Sequence, residues 1–147
     1  MKIAGTAQLP FPPERAYQLM QDPAVLARAI PGCESLERTG EGEYRMKMKM
    51  ALASMSGAFE GKVRLTDPNP PSSFRMVVEG SGKIGFMKGD GALTLTPKDG
   101  GTEVAYEGDA QIGGTMAAVG QRLIDTTARM LIKRFFEKLA TESQVSS

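Results

Sequence analysis

Histidine and tryptophan are absent from this chain, and cysteine occurs once, at Cys33. Without histidine there is no imidazole for general acid–base work, for metal ligation or for a nucleophilic triad. A single cysteine allows neither an intramolecular disulfide nor a thiolate zinc cluster, and it points to a reducing, cytoplasmic setting. A catalytic thiolate would need an activating neighbour, and none is near Cys33 in the sequence. Excess charge of either sign is also missing: 18 basic residues face 17 acidic ones, for a net charge of +1. That excludes the basic surplus of a nucleic-acid binder. No run approaches 18 consecutive apolar residues, so no transmembrane helix is expected. Met1-Lys2-Ile3-Ala4-Gly5-Thr6 has no apolar core of a signal peptide. These absences predict a cytoplasmic protein whose membrane contact, if it makes any, is peripheral and at the inner face.

What the chain does have is 10 methionines and 17 glycines in 147 residues. That length suits one domain, here residues 1–147, with enough buried surface to hold a core unaided. Residues 2–9 read as a strand. Pro12-Pro13-Glu14 opens a short helix to about Met20. Asp22-Pro23 caps a second over about 23–30, which Pro31-Gly32 ends. Period-two alternation then takes over. Tyr44, Met46, Met48 and Met50 face one side, and Arg45, Lys47 and Lys49 the other. Further strands are expected over about 58–66, 74–79, 91–96 and 104–112, with 67–71 as a loop. Gly80 to Gly91 is expected to form a hairpin with a wide or bulged turn. After Gly113-Gly114 the period becomes helical, predicting one helix over about 116–140 with Thr115 as its cap, and a frayed tail at 141–147. One apolar stripe of this helix holds Met116, Val119, Leu123 and Met130; the adjacent one holds Ile124, Ala128, Leu131, Phe135 and Leu139. Strand, two short helices, about six antiparallel strands and a long helix make an α+β layout, in which the helix must cover the sheet's apolar face.

Gly80-Ser81-Gly82-Lys83-Ile84-Gly85 matches the dinucleotide-binding pattern letter for letter. A strand is expected after it where that motif needs a helix, so the glycines read as bends. The methionines say more. Met is a poor residue for specifying a tight core and a good one for an adaptable apolar surface. Inward glycines at 61, 89, 91 and 108 contribute no side-chain volume. Together they predict an apolar ligand cavity. The sheet would supply Met46, Met48, Met50, Phe59, Met76 and Val78, with Phe86, Met87, Leu93 and Tyr106 from the later strands. Leu26 and Ile30 of the second short helix, and Met116, Val119, Leu123 and Met130 of the long helix, would complete the lining. Tyr106 is the candidate for a hydrogen bond to a ligand, and Asp125 for a structural bond at the helix. No catalytic or metal-ligating set is identified. Arg45, Lys47, Lys49, Lys62 and Arg64 form a basic outer strip, read either as a solvated sheet face or as a docking surface for anionic lipid or an acidic partner. The helix cations Arg129, Lys133, Arg134 and Lys138 carry the same two readings.

Several segments resemble the CoxG family of carbon monoxide dehydrogenase subunits. They are Ile30-Pro31-Gly32-Cys33-Glu34-Ser35-Leu36-Glu37, Gly57-Ala58-Phe59-Glu60-Gly61-Lys62-Val63-Arg64-Leu65, and Asp67 with Pro70-Pro71. Gly85-Phe86-Met87-Lys88-Gly89, Gly101-Thr102 with Tyr106, Gly120-Gln121-Arg122-Leu123-Ile124-Asp125 and Phe135-Phe136 extend the resemblance over about residues 1–140. It implies the START-like (SRPBCC, Bet v 1-like) helix-grip fold, in which a seven-stranded antiparallel sheet grips a long C-terminal helix. It also implies a non-enzymatic accessory protein for an aerobic molybdenum-containing carbon monoxide dehydrogenase or related molybdenum hydroxylase. Such a protein would carry a lipid, a quinone or another long-chain apolar ligand, or tether the enzyme to the membrane. A polyketide-cyclase-like enzyme and a ligand-free interaction or assembly factor are the alternatives.

Overall fold

The computed structural model describes residues 1–52 and 54–142. Strand β1 (Lys2–Leu9) leads into two short helices, α1 (Pro13–Gln21) and α2 (Pro23–Ala29). Six strands follow as successive hairpins: β2 (Cys33–Gly40), β3 (Glu43–Leu52), β4 (Met55–Asn69), β5 (Ser73–Gly82), β6 (Gly85–Lys98) and β7 (Gly101–Gly113). A 3-10 turn over Gly114–Val119 then feeds α3 (Gln121–Ala140). All seven strands form one antiparallel sheet in the order β1-β7-β6-β5-β4-β3-β2. The first two strands of the chain therefore sit at opposite edges, and α1 and α2 bridge between them. This is the helix-grip arrangement that the family resemblance implies.

Local chemistry explains the corners. The Asp22 carboxylate accepts the Ala24 N–H at 2.9 Å, capping α2 with Pro23 in its first turn. Thr102 is fully buried, and its hydroxyl donates to the Phe11 carbonyl at 2.6 Å, pinning the β1–α1 corner to β7. Burial alternates along β3, with Tyr44, Met46 and Met48 inside and Arg45, Lys47 and Lys49 outside. Two apolar clusters fill the concave side. One joins α1 and α2 to Phe74, Leu93, Leu95 and the end of α3 around Phe135, Phe136 and Leu139. The other gathers Tyr44, Met46, Met48, Phe59 and Val63 around Met116 and Ile124.

Three expectations are corrected. The long helix starts at Gln121, not at about 116, because Gly120 takes a φ of +98° that breaks the helical path. Its 20 residues span about 30 Å at the usual rise, and Thr115 lies in the 3-10 turn instead of capping it. The β5–β6 hairpin has neither a wide nor a bulged turn. Pairing is unbroken from Ser73–Thr94 to Gly82–Gly85, which leaves a two-residue turn, Lys83-Ile84. The Gly80–Gly85 motif is thus a hairpin tip with a strand after it. Finally, β4 runs on through Asp67, Pro68 and Asn69 with a register shift after Thr66, so the loop is shorter than expected. Of the tail expected to fray, residues 143–147 lie outside the described residues.

Gly32 ties α2 to the sheet. Its φ is +77°, its carbonyl accepts the Lys49 N–H at 2.9 Å, and a Cβ there would strike the Lys49 carbonyl. Gly32→Ala should therefore cost at least about 1–3 kcal/mol of stability, since both backbone strain and a backbone clash oppose it. Gly100→Ala, also at positive φ but with nothing near its Cβ, should cost less; urea unfolding of the two variants gives the comparison. A second tie joins α2 to the end of α3, where Arg28 Nε donates to Glu142 at 2.8 Å. That hydrogen bond holds the Glu142 carboxyl below its ordinary value. A depressed folded-state pKa stabilises above the carboxylate range and loses its effect as pH falls through it. The Tm difference between the wild type and Glu142→Gln should accordingly shrink as pH drops from 7 to about 3.

Candidate functional site

An apolar cavity of about 300 Å³ lies between the concave sheet face and α3, where the two packed clusters meet. That is at the small end of ligand pockets. The sheet contributes alternate residues: Ile3 from β1, Met48, Met50 and Leu52 from β3, and Met76 and Val78 from β5. Met87 and Leu93 of β6 and Tyr106, Ala110 and Ile112 of β7 continue the wall. Ile30 and Pro31 close it behind α2. From α3 come Ile124, Thr127, Ala128, Leu131, Ile132, Phe135 and Phe136.

Of the residues expected to line a cavity, the structure brings Ile30, Met48, Met50, Met76, Val78, Met87, Leu93 and Tyr106 together around it. The other eight lie elsewhere. Met46, Phe59 and Met116 are buried in the solid second cluster, and Val119 and Leu123 pack against that cluster. Leu26 is buried in the first. Phe86 and Met130 are 49% and 40% exposed. Phe86 lies on the outer face, with its ring over Gly113. Two causes account for these differences. Alternation identifies the inner face of a strand, but not whether the space opposite is already filled. And the helix starts after Gly120, so the stripe turned to the cavity is the second one, Ile124, Ala128, Leu131 and Phe135. Met1, Ile3 and Thr127 were missed outright; Ile3 had a signal, since it alternates with the outward Lys2 and Ala4.

Glycine makes the room. A Cβ on Gly89 would meet nothing within 4 Å, so this position points into empty space. The other inward glycines serve the backbone. A Cβ on Gly61 would strike the Glu79 carbonyl, and one on Gly108 the Asp90 carbonyl. Gly91 is intermediate, with the Glu107 carbonyl 3.3 Å from its Cβ position.

Polar chemistry at the wall is sparse. Tyr106 stacks on Phe136, with ring centroids 5.5 Å apart and planes 19° apart, and Phe136 meets Phe135 edge-on at 5.2 Å. The Tyr106 ring lies over Gly5, and its hydroxyl makes no hydrogen bond among the described residues. Thr127 is the other hydroxyl-bearing residue on the wall. Asp90 borders the cavity, but its carboxylate accepts from Arg75 at 2.7 Å on the outer face. Asp125 is held by Gln121 Nε2 at 2.9 Å, one turn earlier on α3. Cys33 is half-buried, and burial raises its thiol pKa, so it stays protonated at neutral pH. No cluster of metal-ligating side chains occurs among the described residues. No described helix is long and apolar enough to cross a membrane.

The basic strip is not one field of positive charge. Arg45, Lys47, Lys49 and Lys62 are exposed, while Arg64 is half-buried. Across the ladders, Glu37 lies beside Arg45, Glu60 beside Lys47, Glu79 beside Lys62 and Glu43 beside Arg64. Lys49 pairs with Glu34 at 3.4 Å. Arg45 and Lys62 also face each other, so this row reads Glu37, Arg45, Lys62, Glu79, with two cations between two carboxylates.

The model of the CoxG family of carbon monoxide dehydrogenase subunits matches residues 5–144. Among solved structures, a conserved protein from Geobacillus kaustophilus is 34% identical, with 97% of this chain and 94% of that chain covered at a TM-score of 0.91. The Zhui aromatase/cyclase from Streptomyces sp. R1128 is 12% identical over 97% and 92% of the two chains, with a TM-score of 0.65. Ara h 8.0201 is 14% identical over 95% of each chain, with a TM-score of 0.62. These last two share the fold. No curated protein matches the sequence.

Gly89→Phe should fill the cavity without strain. Nile red uptake should fall about tenfold or more, with Tm unchanged or raised, as expected when a void is filled without overpacking. Gly108→Ala should instead lower Tm, because its Cβ meets backbone.

Proposed function

The chain belongs to the CoxG family of carbon monoxide dehydrogenase subunits, and from that premise we propose that it is a non-enzymatic accessory protein that carries a long-chain apolar ligand. It serves an aerobic molybdenum-containing carbon monoxide dehydrogenase or a related molybdenum hydroxylase. The observation that carries this reading is the cavity itself: an apolar chamber walled by four thioethers of the sheet, Met48, Met50, Met76 and Met87, and deepened at Gly89. Tight-core residues would have closed it; methionine and glycine keep it open and adaptable. A lipid or a quinone suits the lining. The volume of about 300 Å³ accommodates a ring or part of a chain, so a long tail would run out through the open side. Peripheral contact with the inner face of the membrane would let such a ligand enter and leave.

Tyr106 would orient the ligand. Its hydroxyl, which makes no hydrogen bond among the described residues, can donate to a carbonyl or headgroup oxygen. Tyr106→Phe should weaken a carbonyl-bearing ligand by about 1 kcal/mol, roughly fivefold, and leave a pure hydrocarbon unaffected.

The deciding experiment is native mass spectrometry of the purified protein, with organic extraction of whatever it holds. A co-purifying lipid or quinone, absent from Gly89→Phe, is the expected result. A protein that is empty as purified, and stays empty after incubation with quinones and membrane lipid, would overturn the carrier reading. Leu131→Asp is a second probe, because it sets an unpaired charge in the cavity wall. A folded Leu131→Asp variant that still loads ligand would place the site elsewhere.

A further inference from the structure

We propose that the outer face of α3 is a docking surface for an acidic patch on a partner protein, and that the charged outer face of the sheet is not. This rests on the accessory reading above and names the surface through which it would act.

Charge is distributed unevenly over the molecule. Residues 121–140 carry five cations and two carboxylates, a net +3, while the whole chain carries +1. The rest of the chain is therefore net negative by two. Arg122, Arg129, Lys133 and Arg134 are all exposed, and none makes an ion pair among the described residues. On the sheet, by contrast, Arg45, Lys47, Lys62 and Arg64 are matched in number by Glu37, Glu60, Glu79 and Glu43 across the ladders, although Arg45 and Lys62 also face each other. An anionic partner would meet balanced charges on the sheet and a net positive field on α3.

The helix face also has the anatomy of a protein interface. At 100° per residue, Arg122, Arg129 and Lys133 fall in one stripe and Arg134 and Lys138 in another, with Met130 and the exposed Glu137 between them. Among the described residues, Met130 and Phe86 are the large apolar side chains left exposed. A half-exposed Met130 among arginines matches the enrichment of Met and Arg on surfaces that protein partners bury. A bilayer fits less well. A helix that lies in a membrane surface needs a broad exposed apolar face, and α3 spends its broad apolar face on the cavity. The docking side and the cavity side of α3 are adjacent in sequence, since Ala128, Leu131 and Ile132 line the cavity around Met130.

The test uses the intact chain and a purified molybdenum-containing carbon monoxide dehydrogenase, with binding read by biolayer interferometry at about 50 and 300 mM salt. Arg129→Glu with Lys133→Glu should weaken binding about tenfold or more and flatten its salt dependence. Met130→Ala should weaken it severalfold. The sheet-face pair Lys47→Glu with Lys62→Glu should leave it unchanged. All these side chains are exposed, and retained Nile red uptake would show that each variant keeps its cavity. If the wild type binds and the α3 variants bind equally well, or if the sheet-face pair also abolishes binding, the docking proposal is overturned and the accessory reading stands. Should the α3 pair lose binding to phosphatidylglycerol vesicles yet keep it to the dehydrogenase, the face reads a membrane and the proposal is again overturned. If the wild type does not bind the dehydrogenase under either condition, the accessory reading fails and this proposal with it.

Discussion

Everything in this molecule follows from one requirement: the concave face of a curved antiparallel sheet must be covered, and α3 is what covers it. Curvature brings neighbouring backbones close on the inside, as at Gly61 against Glu79 and Gly108 against Asp90. Glycine is tolerated there because no side chain fits. The same substitutions strip volume from the surface that α3 has to meet. At the other side α3 is propped by large rings, with Phe136 against Tyr106 and Phe135 against Phe136. The helix cannot sink onto the sheet where the rings hold it off, and the sheet cannot fill the gap where glycine is needed. A cavity between two packed clusters is the outcome.

How much of this was legible in the sequence depends on the kind of signal. The strands were clear where cations alternate with apolar residues, as over Tyr44–Met50, because one face must be wet and the other dry. Asp22-Pro23 and Pro31-Gly32 marked α2 through local chemistry alone. Gly120 was harder. Apolar spacing runs smoothly through it, and only the left-handed backbone there shows that Met116 and Val119 belong to a separate turn. That break rotates the inward stripe of the helix. For the cavity, the sequence showed which residues face in, but whether Met46 and Phe59 meet a void or a neighbour is decided by Met116 and Ile124, from distant parts of the chain. Glycines at 61 and 89 look alike in sequence, yet one accommodates a crossing backbone and the other faces empty space.

The site is defined by what it excludes. With no histidine anywhere, a protonated thiol at Cys33, and Asp90 turned outward to Arg75, the wall offers dispersion contacts and two hydroxyl-bearing residues. Such a surface discriminates by size and shape more than by polar pairing, because apolar contacts are individually weak and non-directional. The family is that of a carbon monoxide dehydrogenase subunit, and α3 turns one face to this chamber and another to solvent.

The four sheet thioethers on the wall carry a chemical liability as well as an adaptable shape. Oxidation of Met48, Met50, Met76 or Met87 to the sulfoxide would plant a strong dipole in a surface that has almost no other polarity. The chamber would then favour water over an apolar guest. Because that lesion is reversed by reductases, a protein built this way would register the oxidant load of its surroundings as a loss of capacity that repair restores.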